Sequence, residues 1–272
     1  MAINDPKARW RRSGAIGAAA LLAAAAVLAT QAPASLLAGA VRSASQGRVE
    51  LRDVSGTVWR GRAAVVLGPG SGDDAPRTRL PGQIEWHISA WALLGATLEL
   101  TLSDAALLDA PVALRLDRRR AGTLAAGRLR LPAEALVGLG APWNTIQPGG
   151  ELSLDWDTLQ IAPASGPPVT LRGELRGEWS GASSRLCPIV PFGHYRIVAD
   201  GTFPGAQVHL ETIAGPIEMS GDGTIADGNR LRFRGSARVQ PGTDEALATQ
   251  LSGLISLLGP RDGDGASLQI GT

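Results

Sequence analysis

Apolar and polar residues alternate with a period of two along most of this chain. Val49 and Leu51 interleave with Arg48, Glu50 and Arg52. The same pattern sets Leu98, Leu100 and Leu102 against Glu99 and Thr101, then Val112, Leu114 and Leu116 against Arg115 and Asp117. It continues in Leu152, Leu154 and Trp156 against Ser153 and Asp155, and returns in Val169, Leu171 and Leu175, in Val208 and Leu210, and in Ile217 and Met219. Near the end, Leu231 and Phe233 alternate with Arg230, Arg232 and Arg234. A strand turns successive side chains to opposite faces, so each stretch makes one apolar and one polar face, the pattern of antiparallel sheets packed on one side. The stretches are short and punctuated by Gly, Pro and Asp, which favours hairpins and meanders over βαβ units. An all-β body is expected. Glycines inside strand-like stretches, such as Gly173, Gly177, Gly221 and Gly223, favour bulges and coiling, and such a sheet can curl into a half-pipe.

Two short helices interrupt this pattern. Pro132 to Leu139 opens with a proline suited to a first helical position. Asp244 to Leu258 places Leu247, Leu251, Leu254, Ile255 and Leu258 on one stripe, with Thr243 as the expected cap and Gly259-Pro260 as the stop. Packing of that stripe on a sheet is the expected use.

A third period is no period at all. Gly14 to Ala29 is uncharged and apolar, and it follows Lys7, Arg9, Arg11 and Arg12. The run reads as a membrane-spanning helix over residues 13–30, with a basic cytoplasmic tail at 1–12, a linker at 31–47 and a periplasmic β-rich domain at 48–272. A cleaved signal peptide is the competing reading, because Ala32-Pro33-Ala34 offers small residues for cleavage. The length of the run and its apolar continuation from Ser35 to Val41 favour a retained anchor. Both readings export the rest of the chain.

Composition narrows the chemistry. The net charge of +1 is concentrated near the amino terminus, leaving a near-neutral body with no electrostatic footprint for nucleic acid. Arg118-Arg119-Arg120 is its one dense basic cluster and reads as a solvated turn before Gly122. The single cysteine, Cys187, excludes an intramolecular disulfide and a cysteine-built zinc site. His87, His194 and His209 lack metal-ligand spacing, so no metal and no cofactor are expected. Gly68-Pro69-Gly70-Ser71-Gly72 departs from a nucleophile elbow because Pro69 stands where G-x-S-x-G needs glycine, and Asp73-Asp74 mark a solvated loop; Asp262-Gly263-Asp264-Gly265 reads as a tight turn, not a calcium loop. No phosphate-binding loop is present in the sequence. The chain reads as a non-enzyme. Seven tryptophans stand out against one tyrosine. Trp59, Trp86 and Trp143 are the candidate partner or packing positions, and Trp59, set between Gly56 and Gly61, is expected to be a packing site.

Several segments taken together resemble protein N of the bacterial type II secretion system. They are Pro33-Ala34-Ser35-Leu36-Leu37, Val54 to Gly61, Leu80-Pro81-Gly82 with Trp86, Gly122-Thr123-Leu124 to Leu131, Ala141-Pro142-Trp143-Asn144 to Gly150, and Pro191 to Arg196. The resemblance implies a single-pass inner-membrane protein with a periplasmic β-domain. It implies an accessory part of the machine that exports folded periplasmic proteins across the outer membrane, with other components of that system as partners and no catalytic residues. The glycine-interrupted strands also resemble an AsmA-like envelope protein whose β-groove handles lipid. That alternative requires a long continuous apolar trough, whereas the secretion reading requires a filled core with binding at edges or tips.

Overall fold

The computed structural model describes residues 30–271 apart from 71–75, 91, 93, 94, 142, 164–169, 188, 227–229 and 264. The expected membrane helix at 13–30 therefore lies outside the described residues except at its last position. No helix among the described residues is long and apolar enough to cross a membrane.

The strands are β1 (Val49–Gly56), β2 (Arg60–Leu67), β3 (Thr78–Arg79), β4 (Ile84–Ile88), β5 (Leu98–Ser103), β6 (Val112–Leu116), β7 (Gly122–Leu124), β8 (Gly127–Pro132), β9 (Pro148–Trp156) and β10 (Leu159–Ala162). They continue as β11 (Thr170–Ser184), β12 (Gly193–Phe203), β13 (Gln207–Ala214), β14 (Ile217–Ala226), β15 (Arg230–Val239), β16 (Arg261–Asp262) and β17 (Gly265–Ile270). All pairings are antiparallel, and most join strands that follow one another in the chain. β1 pairs with β2, β2 with β4, β4 with β5, β5 with β6 and β6 with β7. β7 and β8 then lie along β10 and β9, which share one flank of the long β11. The meander ends β11–β12–β13–β14–β15–β17. The result is one open sheet, antiparallel as the alternation predicts.

Turn chemistry explains the meander locally. Between β6 and β7 the Asp117 carboxylate accepts the N–H groups of Arg119 and Ala121 at 2.7 and 2.9 Å, and Arg120 takes a left-handed φ of 61°. Arg118, Arg119 and Arg120 are consequently exposed at a hairpin tip.

Among the described residues the helices are few; two sit where the sequence predicts, and two, at Ser35–Ala44 and Trp143–Ile146, are additions. Residues 31–47, read as a linker, contain α1 (Ser35–Ala44). Pro132 precedes a 3-10 helix, Ala133–Leu139, and α2 (Trp143–Ile146) follows. The helix expected from Asp244 is α3 (Glu245–Leu258), and its cap is Asp244, not Thr243. Asp244 accepts from the N–H groups of Ala246 and Leu247, whereas the Thr243 hydroxyl donates back to the Gln240 carbonyl. The carboxylate wins because it carries charge into the positive helix end.

The apolar face gathers into three clusters. Leu251 and Ile255 of α3 pack with Tyr195, Ile217, Phe192, Phe233 and Cys187. Ala199, Phe203, Ala206 and Val208 form a second cluster, and Ala34, Ala63 and Trp86 centre a third beside Leu37, Leu51 and Leu100. Burial raises the Tyr195 phenol above its ordinary pKa, and the nearby Cys187 thiol adds to the effect. Its hydroxyl donates to the Ile217 and Phe192 carbonyls at 3.0 and 3.2 Å.

Candidate functional site

The tryptophans resolve into a recurring packing device. Gly61 stands opposite Trp86 and Gly127 opposite Trp156, and in each case the indole ring occupies the space a glycine Cβ would need. Each indole N–H donates to a carbonyl just before the facing strand: Trp86 to Val58 at 3.1 Å, Trp156 to Ala125 at 2.8 Å. Trp179 donates to the Gly149 carbonyl, inside the facing β9, at 2.9 Å. A buried indole needs its one donor satisfied, and a bare backbone lets the ring lie flat on the neighbouring strand.

This arrangement reassigns the glycines around Trp59. Gly61 makes room for Trp86, and Gly56 turns the chain at φ 93°. Trp86 is only 5% exposed, while Trp59 is half-buried, with its carbonyl accepting the Ile88 N–H at 2.7 Å. Of the two, the buried ring is that of Trp86. Trp59 and Trp86 lie at the same end of the β2–β4 pair. Trp143 is apart from them, half-buried on the four-residue α2.

The polar face carries ladders of charge. Arg196 lies between Glu178 and Glu211 at 2.8 and 3.0 Å, Arg130 reaches Asp109 at 2.8 Å, and Arg128 pairs with Asp155. The Glu178 and Glu211 carboxylates raise the Arg196 guanidinium above its ordinary pKa through hydrogen bonds. One rung has the residue types of a hydrolase. Ser180 Oγ lies 3.1 Å from His194 Nε2, and Glu178 Oε2 lies 3.8 Å away. The serine and the carboxylate face the same ring nitrogen, so the acid does not orient the imidazole through Nδ1 as a nucleophilic triad needs. Glu178 is moreover committed to Arg196.

The two outermost flanks of the sheet differ. On β1, Val49 is held by the Ser45 hydroxyl, which donates to its carbonyl at 3.0 Å and accepts its N–H at 3.1 Å. Farther along, Ala34 donates to the Gly56 carbonyl at 3.2 Å and Val58 to that of Ala32 at 2.9 Å. Glu50, 5% exposed, gathers Arg52, Arg42 and Arg77 at 2.7, 3.6 and 3.7 Å. The Arg52 hydrogen bond holds Glu50 below the ordinary carboxylate range against the opposing effect of burial, and the charges of Arg52, Arg42 and Arg77 add to it. One acid among Arg42, Arg48 and Arg52 was the sequence signal for this clamp.

On β17 the flank is open. β16 reaches only Gly265 and Ala266. The Ser267 N–H donates to the Pro260 carbonyl at 2.8 Å, so it points away from β15. Strand alternation then turns the Gln269 N–H and C=O outward as well, and no described strand pairs beyond them. Arg232 and Arg234 are exposed on the adjoining strand, opposite Thr224 and Asp222. Asp222 is taken by His209 at 2.8 Å. An open edge beside guanidinium groups that have no ion pair among the described residues suits capture of an extended segment bearing acidic side chains. Nothing in the sequence marked Gln269, because edge position follows from the whole strand order.

A family model described as Type II secretion system (T2SS), protein N matches residues 47–269. No curated protein and no solved structure matches the chain.

Proposed function

We infer the role of this chain from the premise that it belongs to the type II secretion system protein N family and is a component of that secretion machinery. Held at the inner membrane by residues 13–30 with the body in the periplasm, it supports export of folded periplasmic proteins across the outer membrane. It works through protein–protein contacts. The family match over residues 47–269 carries this reading. The open β17 flank supports it by offering a surface that another component can complete with a strand.

The test is a deletion strain. Export of folded substrates falls or the assembly of other components fails, and expression of the full chain restores it. Normal secretion in the deletion strain overturns the reading.

One observation favours the lipid-handling alternative. Ile197 lies in the same alternation as buried Tyr195 and Ala199 yet is 46% exposed, between two clusters and opposite Gly177. If lipid is the cargo, phospholipid co-purifies saturably with the full chain and Ile197→Asp abolishes it, while secretion is normal in the deletion strain.

A further inference from the structure

Helix α1 covers an edge and leaves an apolar face of its own outward. Leu37 turns in toward the cluster of Ala34, Ala63 and Trp86. Leu36, Gly39, Ala40 and Ser43, spaced as one helical face, are exposed, with Leu36 at 61%. No acidic residue lies in the first turn, and Arg42 closes the last. A groove of about 690 Å3 beside this face is lined by Gly39, Arg42, Ser43 and Arg48 among others. Arg48 has no ion pair among the described residues, and the neighbouring Glu50 is already occupied by Arg52, Arg42 and Arg77.

What covers this face is decided by the tether. The uncharged apolar run ends at Ala29. Ala32, Pro33 and Ala34 are already fastened to the strand-end segment at Gly56, Thr57 and Val58. Only Thr30 and Gln31 lie between. At roughly 3.3–3.6 Å per residue, this holds Ala32 on the order of 10 Å from the end of the run at most, and the start of α1 at Ser35 within about 20 Å. A helix that close to a bilayer, apolar outward and flanked by arginine, has the chemistry of an interfacial helix.

We propose that α1 lies on the periplasmic surface of the membrane, with Leu36 and Ala40 at the acyl boundary and Arg42 and Arg48 on lipid phosphates. This rests on residues 13–30 being a retained anchor. The surface contact fixes the tilt of the sheet, so the β17 flank is presented away from the bilayer in one orientation.

The test uses the full chain reconstituted in vesicles of phosphatidylethanolamine with phosphatidylglycerol, and in phosphatidylcholine alone. Leu36→Cys, Ala40→Cys and, as a distant exposed control, Ile213→Cys carry an environment-sensitive fluorophore. Buried Cys187 stays unlabelled in the folded protein. Brominated acyl chains should quench the probes at 36 and 40 severalfold more than at 213. Excess inorganic phosphate should not reduce that quenching, because the acyl boundary holds the helix. The Arg42→Gln, Arg48→Gln double variant should lose the preference for anionic vesicles. Equal quenching at 36, 40 and 213 in a chain that resists carbonate extraction overturns the surface contact alone. Extraction by carbonate, or an intact mass showing loss of the first thirty or so residues, overturns the anchor and this proposal with it.

Discussion

The amino-terminal and carboxy-terminal thirds of the sheet use a helix each, and for opposite purposes. α3 closes a face: its Leu251 and Ile255 are 0% and 3% exposed and sit over β12, β14, β15 and β17. α1 closes an edge: none of its residues is buried, and the region beneath is filled by Trp86 lying on Gly61. A face-covering helix spends its apolar stripe on the core. An edge-covering helix holds the strand through backbone and charge, and its apolar side is left for something else. The same contrast runs through the sheet margins, since β1 is fastened at Val49 and at Gly56 while β17 leaves Gln269 outward.

The largest effects should come from breaking each region's filling. Trp86→Ala removes a buried ring together with its hydrogen bonds to the Val58 and Thr57 carbonyls, with an expected loss of ~3–5 kcal/mol in denaturant unfolding. Leu251→Ala should cost ~2–5 kcal/mol at the other end. Trp86 and Leu251 belong to clusters that share no residue, so the double variant should sum the two losses to within about 0.5 kcal/mol. A larger coupling would mean the regions form one core. Trp59→Ala should cost no more than half of Trp86→Ala, because the Trp59 ring is half-buried.

Gly61→Val sharpens the contrast by overfilling. Its side chain would meet the Trp86 ring and the Ser55 carbonyl, and an expected ~1–3 kcal/mol is lost. Gly177→Ala should be nearly neutral, since a Cβ there has ordinary contact distances of 3.8 Å or more.

Acid should separate the regions next. Glu50 is held below its ordinary value of 4.5 by Arg52 and then by Arg42 and Arg77. A depressed folded pKa gives stabilisation that is full above the ordinary value and lost as pH falls through the lowered one. Hydrogen exchange at α1 and β1 should therefore rise as pH falls below the ordinary carboxylate range, before that at α3 does. Glu50→Gln should remove the pH dependence and leave α1 loosely held at neutral pH.

Much of the sheet was legible because strand geometry imposes a period of two on residue type, which is readable in the sequence of Leu98–Ser103, Val112–Leu116 and Pro148–Trp156. α3 was legible from its stripe and stop. α1 was hidden because its helix buries nothing, so Leu36, Leu37, Ala40 and Val41 read as the tail of an apolar run. Trp86 was undervalued for a related reason. The glycine that accommodates its ring lies 25 residues earlier, across a pairing that local sequence does not reveal. The β17 flank required the complete strand order. Family membership, by contrast, was readable from the ordered short segments and is established by the match over residues 47–269.

The smallest structural change tests the central claim. Gln269→Pro removes one outward N–H, spares the pairing with β15 and is tolerated on an edge strand, so unfolding should be unchanged. The direct measurement is photo-crosslinking in a secreting strain from a reactive amino acid at position 267 of the full chain, with and without Gln269→Pro. The account predicts a crosslink to another secretion component that Gln269→Pro abolishes, with export reduced in step. A crosslink only to lipid, or none at all, with export unaffected by Gln269→Pro, would contradict it.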